Sequence, residues 1–140
     1  MLTGLLAMAT GSLGCSIPVL QGQECLEARD AVKRFYSYHF DSGMAPTPEN
    51  LAAKRQYLTD ALAARLSSGA GTGARRDFFT DSENYPTAFQ ISSCEVVSGD
   101  RVKIEINLYW RENEQNSQRK ITAEMIKRGS DWLLNNVTEN

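Results

Sequence analysis

Residues 101–112, Arg-Val-Lys-Ile-Glu-Ile-Asn-Leu-Tyr-Trp-Arg-Glu, decide the fold. Val102, Ile104, Ile106, Leu108 and Trp110 fall on every second position, with Lys103, Glu105, Asn107 and Arg111 between them. A period of two sends one set of side chains into a core and the other towards water, so the stretch reads as a half-buried β-strand. Turn formers bracket it: Ser98-Gly99-Asp100 before, Asn113-Glu114-Gln115-Asn116 after. Residues 117–127 return with Ile121, Ala123 and Met125 on one face. Gly129-Ser130-Asp131 turns the chain again, and Trp132, Leu134 and Val137 close the sheet. With a first strand starting near Gln90, residues 90–137 form a four-stranded antiparallel meander.

Upstream the period changes. In residues 24–40, Ala28, Val32, Phe35, Tyr36 and His39 recur at a spacing of three to four, the stripe of an amphipathic helix. Gly43 stops it. Thr47 is a natural N-cap with Pro48 at the first helical position, which predicts a second helix over 48–56. Thr59 caps a short third helix over 60–66, with Leu62 and Leu66 facing in. Residues 67–73 are Ser- and Gly-rich and read as a flexible linker. No Lys-Ser or Lys-Thr follows, so they form no phosphate loop.

A chain of 140 residues suffices for one domain and not for two. The net charge of −2 gives no electrostatic case for nucleic acid. Residues 101–128 carry seven Lys or Arg against four Glu, which reads as a solvated sheet face. One His and no close Cys pair fit no metal motif, and no cofactor is expected.

Residues 1–14 hold no charge and lead to Cys15; Ser12-Leu13-Gly14-Cys15 resembles a bacterial lipobox. The organisation expected is a signal peptide over 1–14, lipidation at Cys15, a tether over 15–23 and a single α+β domain over 24–140. The protein is then exported, periplasmic and lipid-anchored to the bacterial membrane. The competing reading is a small-residue helix packed into the domain. If Cys15 is acylated, Cys25 and Cys94 remain as one pair. In an oxidising compartment they join the first helix to the first strand; otherwise they are two buried thiols.

Residues 74–86, Ala-Arg-Arg-Asp-Phe-Phe-Thr-Asp-Ser-Glu-Asn-Tyr-Pro, form the loop richest in chemistry. Phe78 and Phe79 read as core plugs, and Pro86 ends the loop. Asp77, Asp81 and Glu83 lack the spacing of a calcium loop. Asp77 and Asp81 are expected to cap turns or to pair with Arg75 and Arg76. His39 has two readings. Either its ring is hydrogen-bonded at the helix end near Asp41, or it faces a cavity as a general base oriented by Asp77 or Asp81.

The order of elements, three helices then a four-stranded meander, is an α+β plan. It resembles the nuclear-transport-factor-two-like, or cystatin-like, superfamily, and within it an uncharacterised family of bacterial putative lipoproteins. The residues that carry the resemblance are Val32-Lys-Arg-Phe-Tyr-Ser-Tyr38, Tyr57-Leu58-Thr59, the run from Asp77 to Pro86, and Gly129-Ser-Asp-Trp-Leu-Leu-Asn-Asn-Val137. The resemblance implies a curved sheet wrapped on a long first helix, leaving a cone-shaped interior. It carries no established activity.

The function expected is a non-catalytic binding domain whose partner is another protein, with immunity to a secreted toxin as one form. Arg75, Arg76, Asp77, Asp81, Glu83, Tyr85 and His39 are the candidate binding residues, with Arg and Tyr the types that recur at binding hot spots. The alternative is a carrier of a small apolar ligand, or an enzyme using the cone around His39.

Overall fold

The computed structural model describes residues 22–70 and 76–140. Residues 1–14, Cys15 and Arg75 lie outside the described residues. Helix α1 spans Gln23–Ser42, α2 Pro48–Ala53 and α3 Asp60–Arg65. A 3-10 turn, Arg55–Tyr57, joins α2 to α3, and a π-helical turn, Leu66–Ala70, follows α3. Strands β1 (Ala88–Ser98), β2 (Arg101–Glu112), β3 (Gln115–Arg128) and β4 (Asp131–Glu139) form one antiparallel sheet in the order β1-β2-β3-β4.

The local signals act as their chemistry requires. The Thr47 hydroxyl accepts from Asn50 N at 3.1 Å, and the Thr59 hydroxyl from Leu62 N at 3.2 Å, each filling an otherwise orphaned donor at a helix start. Ser67 and Ser68 lie in the π-helical turn instead of a linker. Their hydroxyls donate back to Ala63 O and Arg65 O, which continues the helical path for one more turn.

The inward row of β2, Val102 to Leu108, is 0% exposed at each alternate residue. It faces Ile121, Ala123 and Met125 on β3. The row on β4 changes phase: Leu134 and Val137, three residues apart, are both buried. The register explains this. Met125 pairs with Leu134 and Ala123 with Val137, with a shift between Glu124 and Met125. The extra residue bends the strand. Asn135 uses the irregularity: its amide donates to Glu124 Oε1 at 2.7 Å, and its oxygen accepts the Thr59 hydroxyl at 2.8 Å. Thr59 N–H also donates to Leu134 O at 2.9 Å, so the segment before α3 covers the β4 edge.

Helix α1 lies across the inner face of the sheet. Its buried residues are Cys25, Ala28, Ala31, Val32, Phe35, Tyr36 and His39. A disulfide joins Cys25 to Cys94 with Cα atoms 6.0 Å apart. Farther along, Tyr36 and Phe40 pack their rings on Phe89. Helix and β1 therefore run antiparallel, and the cone-shaped interior is packed with the rings of Phe35, Tyr36, His39 and Phe79. Among the described residues no helix is long and apolar enough to cross a membrane.

Candidate functional site

The far end of α1 meets the loop between the helical layer and the sheet. Asp77 and Ser82 close this loop by mutual backbone bonds, Asp77 N to Ser82 O at 2.8 Å and Ser82 N to Asp77 O at 3.3 Å. Asp81 at the turn has a φ of 49°, a left-handed conformation that Asp tolerates better than most residues.

A single carboxylate organises the loop from beneath. Asp77 Oδ2 accepts from His39 Nε2 at 2.7 Å and from the Thr80 hydroxyl at 2.7 Å; Oδ1 accepts from Phe79 N at 3.2 Å. His39 and Asp77 are each only 1% exposed. The pairing of His39 is thus with Asp77, from a distant segment, and not with Asp41 beside it. Burial also removes Asp77 and His39 from any contact rim. The ring of His39 lies parallel to Phe35 and edge-on to Phe79, and among the described residues its Nδ1 has no hydrogen-bond partner.

The loop carbonyls are held as fully. Tyr36 OH donates to Phe79 O at 2.7 Å. Arg119 donates to Thr80 O at 2.8 Å and also to Asp81 O. Burial pushes the Tyr36 phenol well above its usual pKa, and the negative charge of Asp77 adds to this. Lys54, 1% exposed, donates to Gly43 O at 3.0 Å and so closes the end of α1. Burial lowers its pKa, with the Asp77 charge opposing.

Above this base the side chains face solvent. Arg76 Nε donates to Asp81 Oδ1 at 2.7 Å, and that hydrogen bond, with the charge behind it, holds the Asp81 carboxyl below the usual range. Glu83 and Asn84 are exposed, and Tyr85 is 39% exposed. Asn84 also bonds Glu112 at the end of β2. Phe79 is sealed in the core, whereas Phe78 is half-buried under the Arg65 guanidinium, 5.5 Å from its ring centroid. Only one of the two expected plugs is therefore a core residue.

Trp110 is the member of the inward β2 row that leaves the core. It is half-buried, its Nε1 donates to Asn84 O at 2.6 Å, and Arg119 lies 5.4 Å over its ring. Two hollows, about 360 and 520 Å³, flank it. The first is lined by Arg76, Glu83, Asn84 and Glu112 among others, the second by Thr87, Tyr109 and Arg111. The structure thus brings Arg76, Asp81, Glu83 and Tyr85 to one end of the domain, beside the tip of the β2–β3 hairpin. Sequence reasoning missed Arg119 and Lys54. Arg119 does carry a signal, since it falls in phase with the inward residues Ile121, Ala123 and Met125. A cation in an apolar row marks a side chain with a fixed partner. Among the described residues no group of three His, Cys, Asp or Glu is placed to hold a metal ion.

This arrangement of helix, loop and sheet recurs in solved structures. A chain of the type VI effector–immunity complex Tae3–Tai3 from Ralstonia pickettii matches 80% of this chain and 94% of its own length, with a TM-score of 0.55 and 13% identity. A protein of unknown function from Bacteroides thetaiotaomicron matches 81% of this chain and 89% of its own, with a TM-score of 0.52 and 18% identity. A chain named Rd1NTF2_04 with long sheet matches 81% and 99%, with a TM-score of 0.50 and 12% identity. The fold is nuclear-transport-factor-two-like. No protein-family model and no curated protein matches the sequence. At these identities the likeness concerns the fold, and a fold does not fix a function.

Proposed function

We propose that this nuclear-transport-factor-two-like chain is a non-catalytic domain that binds another protein through residues 76–86 and the adjoining end of the β2–β3 hairpin. One observation carries the reading: the loop backbone is held from beneath by Asp77, Tyr36 and Arg119, while Arg76, Glu83 and Tyr85 remain outside. A rigid backbone that presents Arg and an aromatic ring loses little entropy on association. The sealed His39–Asp77 pair favours this reading over catalysis, because a general base needs its substrate within hydrogen-bond reach.

The partner we infer is a secreted toxin effector, with this chain acting as its immunity protein. The shared fold with a chain of an effector–immunity complex supports that choice. The envelope address inferred for it rests on lipidation at Cys15. Helix α1 supports the same layout: its first turns lie by Cys94 and its last by Asp77, and 20 residues separate the two ends by about 30 Å. A lipid-tethered N-terminus then holds the domain so that the loop points away from the membrane.

The test is affinity capture with the full chain, wild type against Arg76→Ala/Tyr85→Ala. The reading requires an effector retained by the wild type and lost with the double variant. Retention of the same protein by both places the contact elsewhere.

A further inference from the structure

Strand β1 is one edge of the sheet. It pairs with β2 on one side, and among the described residues no strand lies on the other. Such an edge presents unpaired N–H and C=O groups, which proteins blunt with Lys, Pro, a short strand or a bulge. β1 runs for 11 residues, has no Lys and no Pro, and carries one charge, Glu95. It keeps only a bulge in mid-strand.

The inner row of β1 is also left partly bare. Phe89, Ile91, Cys94 and Val96 pair with Leu108, Ile106, Ile104 and Val102 of β2, each of which is 0% exposed. The β1 residues point to the same side, yet Phe89, Ile91 and Cys94 are only half-buried and Val96 is 47% exposed. Leu26, next to the bridged Cys25 on α1, is 52% exposed, and Val97 is 50% exposed. Open backbone beside an uncovered apolar row is a surface for a further strand.

The spacing of the row selects that strand. The step is two from Phe89 to Ile91 and from Cys94 to Val96, but three from Ile91 to Cys94, because Ser92 and Ser93 together stand opposite Glu105. A regular strand laid along β1 would match the row on one side of the bulge and turn its polar face inward on the other. A second β1, running antiparallel, matches on both sides. With Ser92 opposite Ser93 of the second copy, the two extra residues fall at the same point. Phe89 then faces Val96 of the second copy, and Ile91 faces its Cys94. On the outer face the same register sets Glu95 against Gln90, so like charges do not meet. Arg29 Nη1 already donates to Ser92 O at 3.2 Å, so the pairing rests on the flanks, 88–91 and 94–97.

We propose that two copies of this chain associate through their β1 edges, antiparallel about a two-fold axis between Ser92 and Ser93, into one continuous sheet. The start of each α1, bonded at Cys94, then lies near the axis, and residues 76–86 lie at its far end, so the pair leaves the loop site free.

Sedimentation velocity of the full chain, at low ionic strength and from about 1 µM to about 1 mM, spans the affinities expected of an interface of modest area. The mass should rise towards twice the 15.5 kDa of one chain. Gln90 tests the register. Gln90→Glu keeps an acceptor for the Tyr109 hydroxyl, which donates to Gln90 Oε1 at 2.9 Å, and sets a carboxylate opposite Glu95 of the other copy, twice in each pair. It should raise the Kd of the pair at least about threefold, and Gln90→Lys, which sets a cation there, should lower it. The mass of one chain at every concentration overturns the proposal and leaves the edge to a strand of another protein. Association that Gln90→Glu and Gln90→Lys leave unchanged, or shift in the same direction, overturns it as well, because the copies then meet elsewhere.

Discussion

His39 and Asp77, 38 residues apart in sequence, meet at 2.7 Å in the interior, with side-chain exposures of 1% and 2%. The bond fastens the last turns of α1 to the loop that carries the candidate contact residues. It lies under the surface, so it works through the geometry of what stands above it.

Asp77→Ala should therefore act on stability. The change leaves the His39 N–H, the Thr80 hydroxyl and the Phe79 amide facing a buried void, and breaking such a buried pair costs about 3–5 kcal/mol. Urea unfolding followed by circular dichroism measures it. A loss below about 1 kcal/mol, the size of a surface pair, would contradict the role given to Asp77.

Tyr36 sets an alkaline limit. Its phenol is held well above the usual value of 10.0 by burial, so the folded state stays protonated where the unfolded chain ionises. Below that value the contribution of Tyr36 is complete; as pH rises past it, the unfolded state gives up a proton that the folded state keeps, and stability falls. Thermal melts between pH 8 and 11 should show a steeper loss for wild type than for Tyr36→Phe. Parallel curves would show that Tyr36 ionises alike in both states.

The disulfide closes a separation of 69 residues, for which chain entropy alone gives about 4 kcal/mol. Cys25→Ser should lower the urea midpoint accordingly, and a reductant should bring the wild type towards the same midpoint. An unchanged midpoint in both experiments would contradict a bond in the native protein.

The two adjacent phenylalanines should separate. Phe79→Ala empties a core site and should cost about 3–5 kcal/mol, while Phe78→Ala, at a half-buried site, should cost clearly less. Equal losses would mean that Phe78 is buried as deeply as its neighbour.

The sheet was legible because its patterns are local. Alternation in residues 101–112 and the turn residues around them suffice to place four strands, and the 3–4 spacing from Ala28 to His39 places the helix. Thr47 and Thr59 read correctly because a cap is decided within four residues. What escaped depends on partners far along the chain. For His39 the residues leave two readings open, a bond near Asp41 or orientation by Asp77 or Asp81, and the packing of α1 on Phe79 decides for Asp77, whose carboxylate accepts from the ring. Asp77 read as a turn cap or a partner of Arg75 or Arg76; it does cap the turn, accepting from Phe79 N, and its other oxygen takes His39. Trp110 kept the inward phase of its strand, but the sheet outruns the helix that covers it, and the last inward residue is only half-buried.

If a loop held from within presents Arg76 and Tyr85 to a protein partner, those two side chains carry much of the affinity. Calorimetric titration of the captured partner tests it most directly, with wild type, Arg76→Ala/Tyr85→Ala and, on the outer sheet face, Lys103→Ala. The double variant should lose at least about 2 kcal/mol, roughly thirtyfold in Kd, with a melting temperature close to wild type, while Lys103→Ala binds normally. Wild-type affinity in the double variant, with binding lost in Lys103→Ala, would contradict it and move the contact to the sheet.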